Sequence, residues 1–253
     1  MTTDEFSAAI LVIGNEIISG YVADQNVYFL ANQLSEIGIN LEEVRIVPDK
    51  NDPIIYAVLE LSSKYNYVFV TGGIGPTHDD ITTVSIAQAF SCKLELNHDI
   101  LNKLSNYHNK VLSQGVNSAI KKMAYIPCGS TWIDCLDCMP GFYIKNVYVF
   151  AGSPEIMQKA FLTIKSRLQC GVKKGTKIIN VIMEESKIAI KYKMLQEKYL
   201  DVDMGSYPYK TKEGVDATSL VLSSKNSQSL QAAYNELKQL VEEVNFKNVI
   251  RIS

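Results

Sequence analysis

From Ala8 to Gly14 the chain reads AAILVIG, an unbroken apolar run of strand length. A strand buried on both faces reads this way, because helices cover both sides of a parallel sheet. The period then changes. Leu30, Leu34 and Ile37 recur at helical spacing between Val27 and Gly38, and Gly38 supplies a C-cap. Leu41 to Asp49 alternates as a strand does. Asp52 to Tyr65 opens with Asp at the N-cap and Pro in the first turn, which predicts a helix. Tyr67 to Gly73 (YVFVTGG) predicts the next strand and Asp80 to Phe90 the next helix. This alternation implies a mostly parallel sheet covered by helices, an α/β architecture.

Asp99 to Gln114 is polar and helical, and Asn146 to Leu168 predicts another strand, loop and helix. A break falls at Gln169 to Thr176, QCGVKKGT, after which the order changes. Lys177 to Met183 reads as a strand and Glu185 to Tyr199 as a helix. Val202 to Pro208 and Ala217 to Ser224 read as strands, and Ser227 to Val244 as a long amphipathic helix. The expected organisation is an α/β domain over residues 1–170 and a small α+β domain over 175–253.

Composition narrows the function classes. With 47% hydrophobic and 21% charged residues the profile is that of a soluble globular protein, not a disordered one. The net charge of −2 supplies no basic field for nucleic acid or anionic lipid. The opening MTTDEFSAAI lacks a basic segment followed by a long apolar one, so neither a signal peptide nor a membrane span is expected, and the cytoplasm is the default. The five cysteines, an odd number, argue for free thiols. Cys135 and Cys138 form a C-x-x-C with no second ligand pair for zinc, since His78, His98 and His108 have no spaced partners. Met139-Pro140-Gly141 follows where a redox pair would open a helix, so buried or incidental thiols are expected.

Candidate chemistry gathers where strands end. After the third strand come Thr71-Gly72-Gly73-Ile74-Gly75-Pro76-Thr77, then His78, Asp79, Asp80, Thr82 and Thr83. Taken on the glycines alone, this is a tight strand-to-helix turn with Asp79 or Asp80 as N-cap. A glycine-rich turn at a strand's carboxyl end also exposes backbone N–H groups beside a helix N-terminus, which together attract anions. Two adjacent carboxylates repel each other unless a cation or donor is near, and an Asp pair beside an anion site suits Mg²⁺-type chemistry. His78 is expected to face solvent. The first strand ends similarly in GNEIISGYVADQN, carrying Gly14, Asn15, Glu16, Asp24 and Asn26. Another strand ends in FAGSPEIM, where Gly152, Ser153 and Pro154 open a helix with Ser153 placed as N-cap. Three polar strand ends in one sheet are expected to converge on one crevice.

Through these stretches the chain resembles the MoaB/Mog-like molybdopterin-binding family, and most closely its competence-damage-inducible protein A branch. The pattern G-G-x-G-P-x-x-x-D-x-T is matched by Gly72, Gly73, Gly75, Pro76, Asp80 and Thr82, with Thr77 and Asp79 matching the branch. Gly14, Asn15, Glu16, Gly20, Asp24 and Asn26 match the branch's opening. Lys122 to Gly129, Pro140 to Phe142 and Gly205 to Pro208 fit as well. Two positions depart: Ala151 replaces the first proline of a P-G-x-P loop, and Cys135 to Met139 replaces a loop that carries Asn and Ala. The chain ends before the amidohydrolase domain of longer members, so no activity on nicotinamide mononucleotide is expected.

The resemblance implies a Mog-like three-layer sandwich followed by a KH-type-like unit. That unit has no clear G-x-x-G loop and no basic face, so RNA binding does not follow. The resemblance also implies a pocket for a pterin phosphate or a nucleotide, with Glu16, Asp24 and Asp80 lining it and Asp24 and Asp80 as catalytic or metal residues. A homo-oligomer, dimer or trimer, is implied too. Two functions stand open at this point. One is binding of molybdopterin or a related anionic ligand. The other is divalent-metal-dependent hydrolysis of nucleotide pyrophosphates such as ADP-ribose or FAD.

Overall fold

A computed structural model of the chain describes residues 5–112, 118–135 and 141–245. Cys138, Pro140 and the far end of the helix expected to reach Gln114 lie outside these residues. The chain divides into two compact units, Met1–Gly171 and Val172–Ser253.

The first unit runs β1 (Phe6–Ile13), α1 (Asn15–Ile18), α2 (Asn26–Glu36), β2 (Ile39–Val47), α3 (Asn51–Lys64), β3 (Tyr67–Thr71), α4 (Thr82–Ala89), β4 (Leu94–Leu96), α5 (His98–Leu112), α6 (Ser118–Lys122), β5 (Tyr125–Pro127), β6 (Thr131–Ile133), β7 (Gly141–Ile144), β8 (Val147–Phe150) and α7 (Pro154–Lys165). Its six-stranded sheet has the order β2-β1-β3-β8-β7-β6. The pairs β1–β2, β1–β3 and β3–β8 are parallel, and β7 and β6 extend the sheet antiparallel. Ile13 pairs with Val47, Val12 with Thr71 and Thr71 with Phe150, so the parallel strands end together at one rim of the sheet.

Alternation along β1 sorts its side chains onto two cores. Ala9, Leu11 and Ile13 pack with Ile54, Val58 and Leu61 of α3 and Ile86 of α4. Ala8, Ile10 and Val12 pack with Leu30 and Leu34 of α2 and with Met157, Phe161 and Ile164 of α7. The unit is therefore a three-layer sandwich with the sheet in the middle. Ile10, Leu11 and Phe69 are wholly buried, each stabilising by roughly 1.5–3 kcal/mol. The apolar run at Ala8 is thus explained by cover on both faces.

Local departures have physical reasons. Helix α3 starts at Asn51, with Lys50 at the N-cap and Asp52 inside the first turn, which corrects the expectation of Asp52 as cap. The Asn51 side chain instead bonds Ser85 and Gln88, tying α3 to α4. Strands β4 to β7 span only three or four residues each, too short to show alternation. Cys92, Cys128 and Cys170 are free thiols as expected. Cys135, buried, is disulfide-bonded, which corrects the free-thiol expectation for that residue.

The second unit carries β9 (Gly175–Val181), a 3₁₀ turn at Glu185–Lys187, α8 (Ala189–Lys198), β10 (Asp203–Lys210), β11 (Asp216–Ser224) and α9 (Ser227–Asn245). Its antiparallel sheet has the order β10-β11-β9. Ile179, Val181, Leu220 and Leu222 pack against Tyr192 and Leu195 of α8 and Leu230 and Leu237 of α9. Burial holds the Tyr192 hydroxyl well above the usual tyrosine pKa. That hydroxyl donates its hydrogen bond within reach of the Gly205 and Val221 carbonyls, at 3.1 and 3.0 Å. Among the described residues no helix is long and apolar enough to cross a membrane.

Candidate functional site

The order of the sheet selects one rim. The chain leaves β1 toward β2 on one side, then crosses to β3 on the other. This reversal opens a crevice beyond the carboxyl ends of β1 and β3, where α/β sheets take their ligands. The glycine-rich turn after Thr71 lies there. Gly72 has φ of 102° and Gly73 of 68°, conformations that favour glycine. A Cβ on Gly72 would meet the Ile13 carbonyl group at the end of β1, and one on Gly73 would run into the Thr82 hydroxyl. The Gly72 N–H donates to the Phe150 carbonyl at 3.1 Å, and a Cβ on Gly152 would stand 3.3 Å from the Gly72 Cα. The three strand ends therefore meet, and they do so through glycines because only bare backbone fits between them.

Asn26 joins the first segment to the third. Its amide Nδ2 donates to the Gly152 carbonyl at 2.8 Å. Asn15 is anchored by its N–H to Asp49 at 2.7 Å, and Glu16 folds its carboxylate back over Gly14. Ser153 stands at the N-cap of α7 with Pro154 at its first helical position, as the sequence predicts. Yet Ser153 makes no side-chain cap bond, so its hydroxyl is not committed to the helix. Among the described residues the N–H groups of Gly73, Ile74 and Gly75 have no acceptor either.

Three buried side-chain oxygens have no hydrogen-bond partner among the described residues: Asn26 Oδ1, Thr71 Oγ1 and Thr82 Oγ1. Their residues are at most 3% exposed. Leaving such a group unpaired costs roughly 1–3 kcal/mol, and all three lie at this rim.

Beyond Gly75 the turn closes on itself. The Thr77 N–H and hydroxyl both donate to Asp80 Oδ2, at 2.8 and 2.6 Å, and the hydroxyl also reaches Asp79. That Thr77 hydroxyl, aided by a backbone hydrogen bond, holds the Asp79 carboxyl below the usual aspartate range. His78 is exposed, as expected. Neither Asp79 nor Asp80 caps α4, whose N-cap position is Ile81.

Beside the turn lies a cavity of about 340 Å³, within the usual range for a small-ligand site. Ile74, Gly75, Asp80, Thr83 and Val84 form one side; Ser118, Lys121, Lys122 and Tyr125 are among those forming the other. The sequence signal for this second wall was present in the K-M-A-Y-I-P stretch that opens at Lys122, but nothing local gave Lys122 or the preceding Lys121 a role. Folding brings α6 and β5 against a turn about forty residues upstream.

Asp24 stands apart. Its Oδ1 accepts the Val27 N–H at 2.8 Å and so braces the first turn of α2. It lines a separate depression with Gln25, Tyr28, Phe29, Asn32 and Gln158. Asp24 and Asp80 therefore do not share a cavity. Among the described residues no group of three or more His, Cys, Asp or Glu side chains is placed to hold a metal ion. Asp24 and Asp80 are thus not brought together as a joint donor set.

Residues 9–169 match the family described as "Probable molybdopterin binding domain". Residues 175–249 match a second family, described as "FAD synthase, middle domain". A protein of Archaeoglobus fulgidus is 30% identical over 236 residues, covering 92% of this chain and 97% of its own. A protein of Caenorhabditis briggsae named "Probable FAD synthase" is 29% identical over 259 residues, covering 93% of this chain and 49% of its own. The chain thus spans about half the length of that nematode relative. Among solved structures, protein CinA from Thermoplasma acidophilum superposes with a TM-score of 0.59 at 26% identity, covering 64% of this chain and 98% of its own.

Proposed function

The chain belongs to the MoaB/Mog-like family of probable molybdopterin-binding domains, and from that premise we propose that its first unit binds an anionic pterin or a nucleotide by its phosphate where β1, β3 and β8 end. The observation that carries this reading is the run of backbone N–H groups at Gly73, Ile74 and Gly75, which among the described residues have no acceptor. Backbone donors in a row suit phosphate oxygens, and Ile74 and Gly75 line the cavity beside the turn. The N-terminus of α7, opened by Ser153 and Pro154, adds a favourable dipole.

Each residue has a distinct task in this reading. Gly72 and Gly152 let the strand ends close on one another, and Asn26 fixes the spacing between them. Thr77, Asp79 and Asp80 form a knot that holds the turn open toward the cavity. Asp80 lines that cavity, and a carboxylate there accepts N–H groups from the edge of a pterin or purine. Asp24 supports α2.

The match of the second unit to the FAD synthase middle domain, and the name of the nematode relative, favour a nucleotide as the ligand to test first. Metal-dependent hydrolysis of a dinucleotide pyrophosphate has no comparable support, because Asp24 and Asp80 line different depressions. Calorimetric titration of the purified chain with FAD, ADP and molybdopterin tests the reading. Saturable heat with any of them supports it; no heat and no thermal shift with all three defeats it.

A further inference from the structure

The cavity beside the glycine turn has a charge pattern that its acidic wall conceals in the sequence. Asp80 is the carboxylate lining it, against the two ammonium groups of Lys121 and Lys122. The lysines differ in what they already hold. Lys122 Nζ donates to the Thr77 carbonyl at 2.5 Å, so it fastens the turn to α6. Lys121 is exposed and, among the described residues, has no ion pair or hydrogen bond. Around them Ile74, Val84, Leu94, Met123 and Tyr125 form an apolar surface. A flat ring suits that surface, and a negatively charged substituent suits the surplus lysine.

We propose that Lys121 is an anion-holding residue of this cavity and that Lys122 is a positioning residue that sets the turn in place. This rests on the function proposed above and deepens it. The ligand then carries an acidic group, phosphate or carboxylate, that reaches α6 as well as the group held at the glycine turn. The apolar wall holds its ring between them.

FAD serves as the probe, titrated by its own flavin fluorescence at low and at high salt. Lys121→Met weakens binding about tenfold, the factor for one charge-assisted hydrogen bond of ~1.4 kcal/mol. It also flattens the salt dependence, because a screened charge has been removed. Lys121→Arg restores both. Lys122→Met weakens binding and, unlike Lys121→Met, speeds amide exchange at Thr77 to Asp80, since the turn has lost its tie. Fluorescence of Trp132, the chain's one tryptophan and part of the first unit, reports whether each variant stays folded.

If Lys121→Met binds FAD as tightly as the unaltered chain, with the same salt dependence, while Gly73→Ala abolishes binding, the lysine assignment is overturned and the proposed function stands. If the unaltered chain binds neither FAD, ADP nor molybdopterin, the proposed function falls and the lysine assignment with it.

Discussion

Replacing Gly72 by alanine probes the junction on which the site depends. The residue holds φ of 102°, where a side chain is strained by about 1–2 kcal/mol. The new Cβ would stand 3.2 Å from the Ile13 carbonyl carbon and closer still to its oxygen. That oxygen belongs to the end of a buried strand and cannot swing aside, so overpacking adds about 1–3 kcal/mol. The two together come to roughly 2–5 kcal/mol. For a unit of this size each kcal/mol lowers Tm by about 2–4 °C, so a fall near ~10 °C follows. Gly20→Ala is the control. Gly20 also has positive φ, 76°, but nothing lies within 4 Å of its added Cβ. It therefore incurs only the conformational strain, about 1–2 kcal/mol and roughly 2–8 °C. Thermal unfolding followed by Trp132 fluorescence reads both variants. Equal losses in Gly72→Ala and Gly20→Ala would refute the close approach of the turn to β1.

Asn26→Ala removes the bond to the Gly152 carbonyl and is expected to cost about 1 kcal/mol in the same assay; Asn26→Asp, which sets a negative charge at the rim, should weaken FAD binding more than Asn26→Ala does. Asp24→Ala should cost about 1 kcal/mol of stability by removing the bond to the Val27 N–H, and Asp24→Asn much less. A calorimetric binding constant that stays unchanged in Asp24→Asn agrees with a bracing role; its loss would not. The Asp79 carboxyl is held below the usual range by the Thr77 hydroxyl. Its stabilisation of the turn is therefore complete above the ordinary aspartate pKa and fades as pH falls through the depressed value. In Thr77→Val, carboxyl titration by NMR should find the Asp79 pKa moved upward, toward the ordinary value.

The long parallel strands were legible because burial on both faces writes itself as continuous apolar residues, as at Ala8 to Ile13 and Tyr67 to Val70. Helix α7 was legible from Pro154, and the end of α2 from Gly38. The short strands β4 to β7 were not, since three or four residues carry no period and their pairing is set by distant partners. In the site, the glycines announced themselves because Gly72 and Gly73 need positive φ. The motif matches of the acidic residues did not show their local bonds: Asp24 accepts the Val27 N–H in the first turn of α2, and Asp80 is bonded within its own turn. Lys121 and Lys122 carried no local sign of their place, because only the folded chain brings α6 beside Gly75.

The central claim is a place as well as a function: an anionic ligand held by backbone N–H groups where three strands end. Amide chemical-shift mapping by NMR during titration with FAD tests it most directly. Saturable shifts are expected to concentrate at Gly72, Gly73, Ile74 and Gly75, with smaller ones at Asn26 and at Glu155 in the first turn of α7. Saturable shifts confined to the second unit, or to the depression beside Asp24, would contradict it.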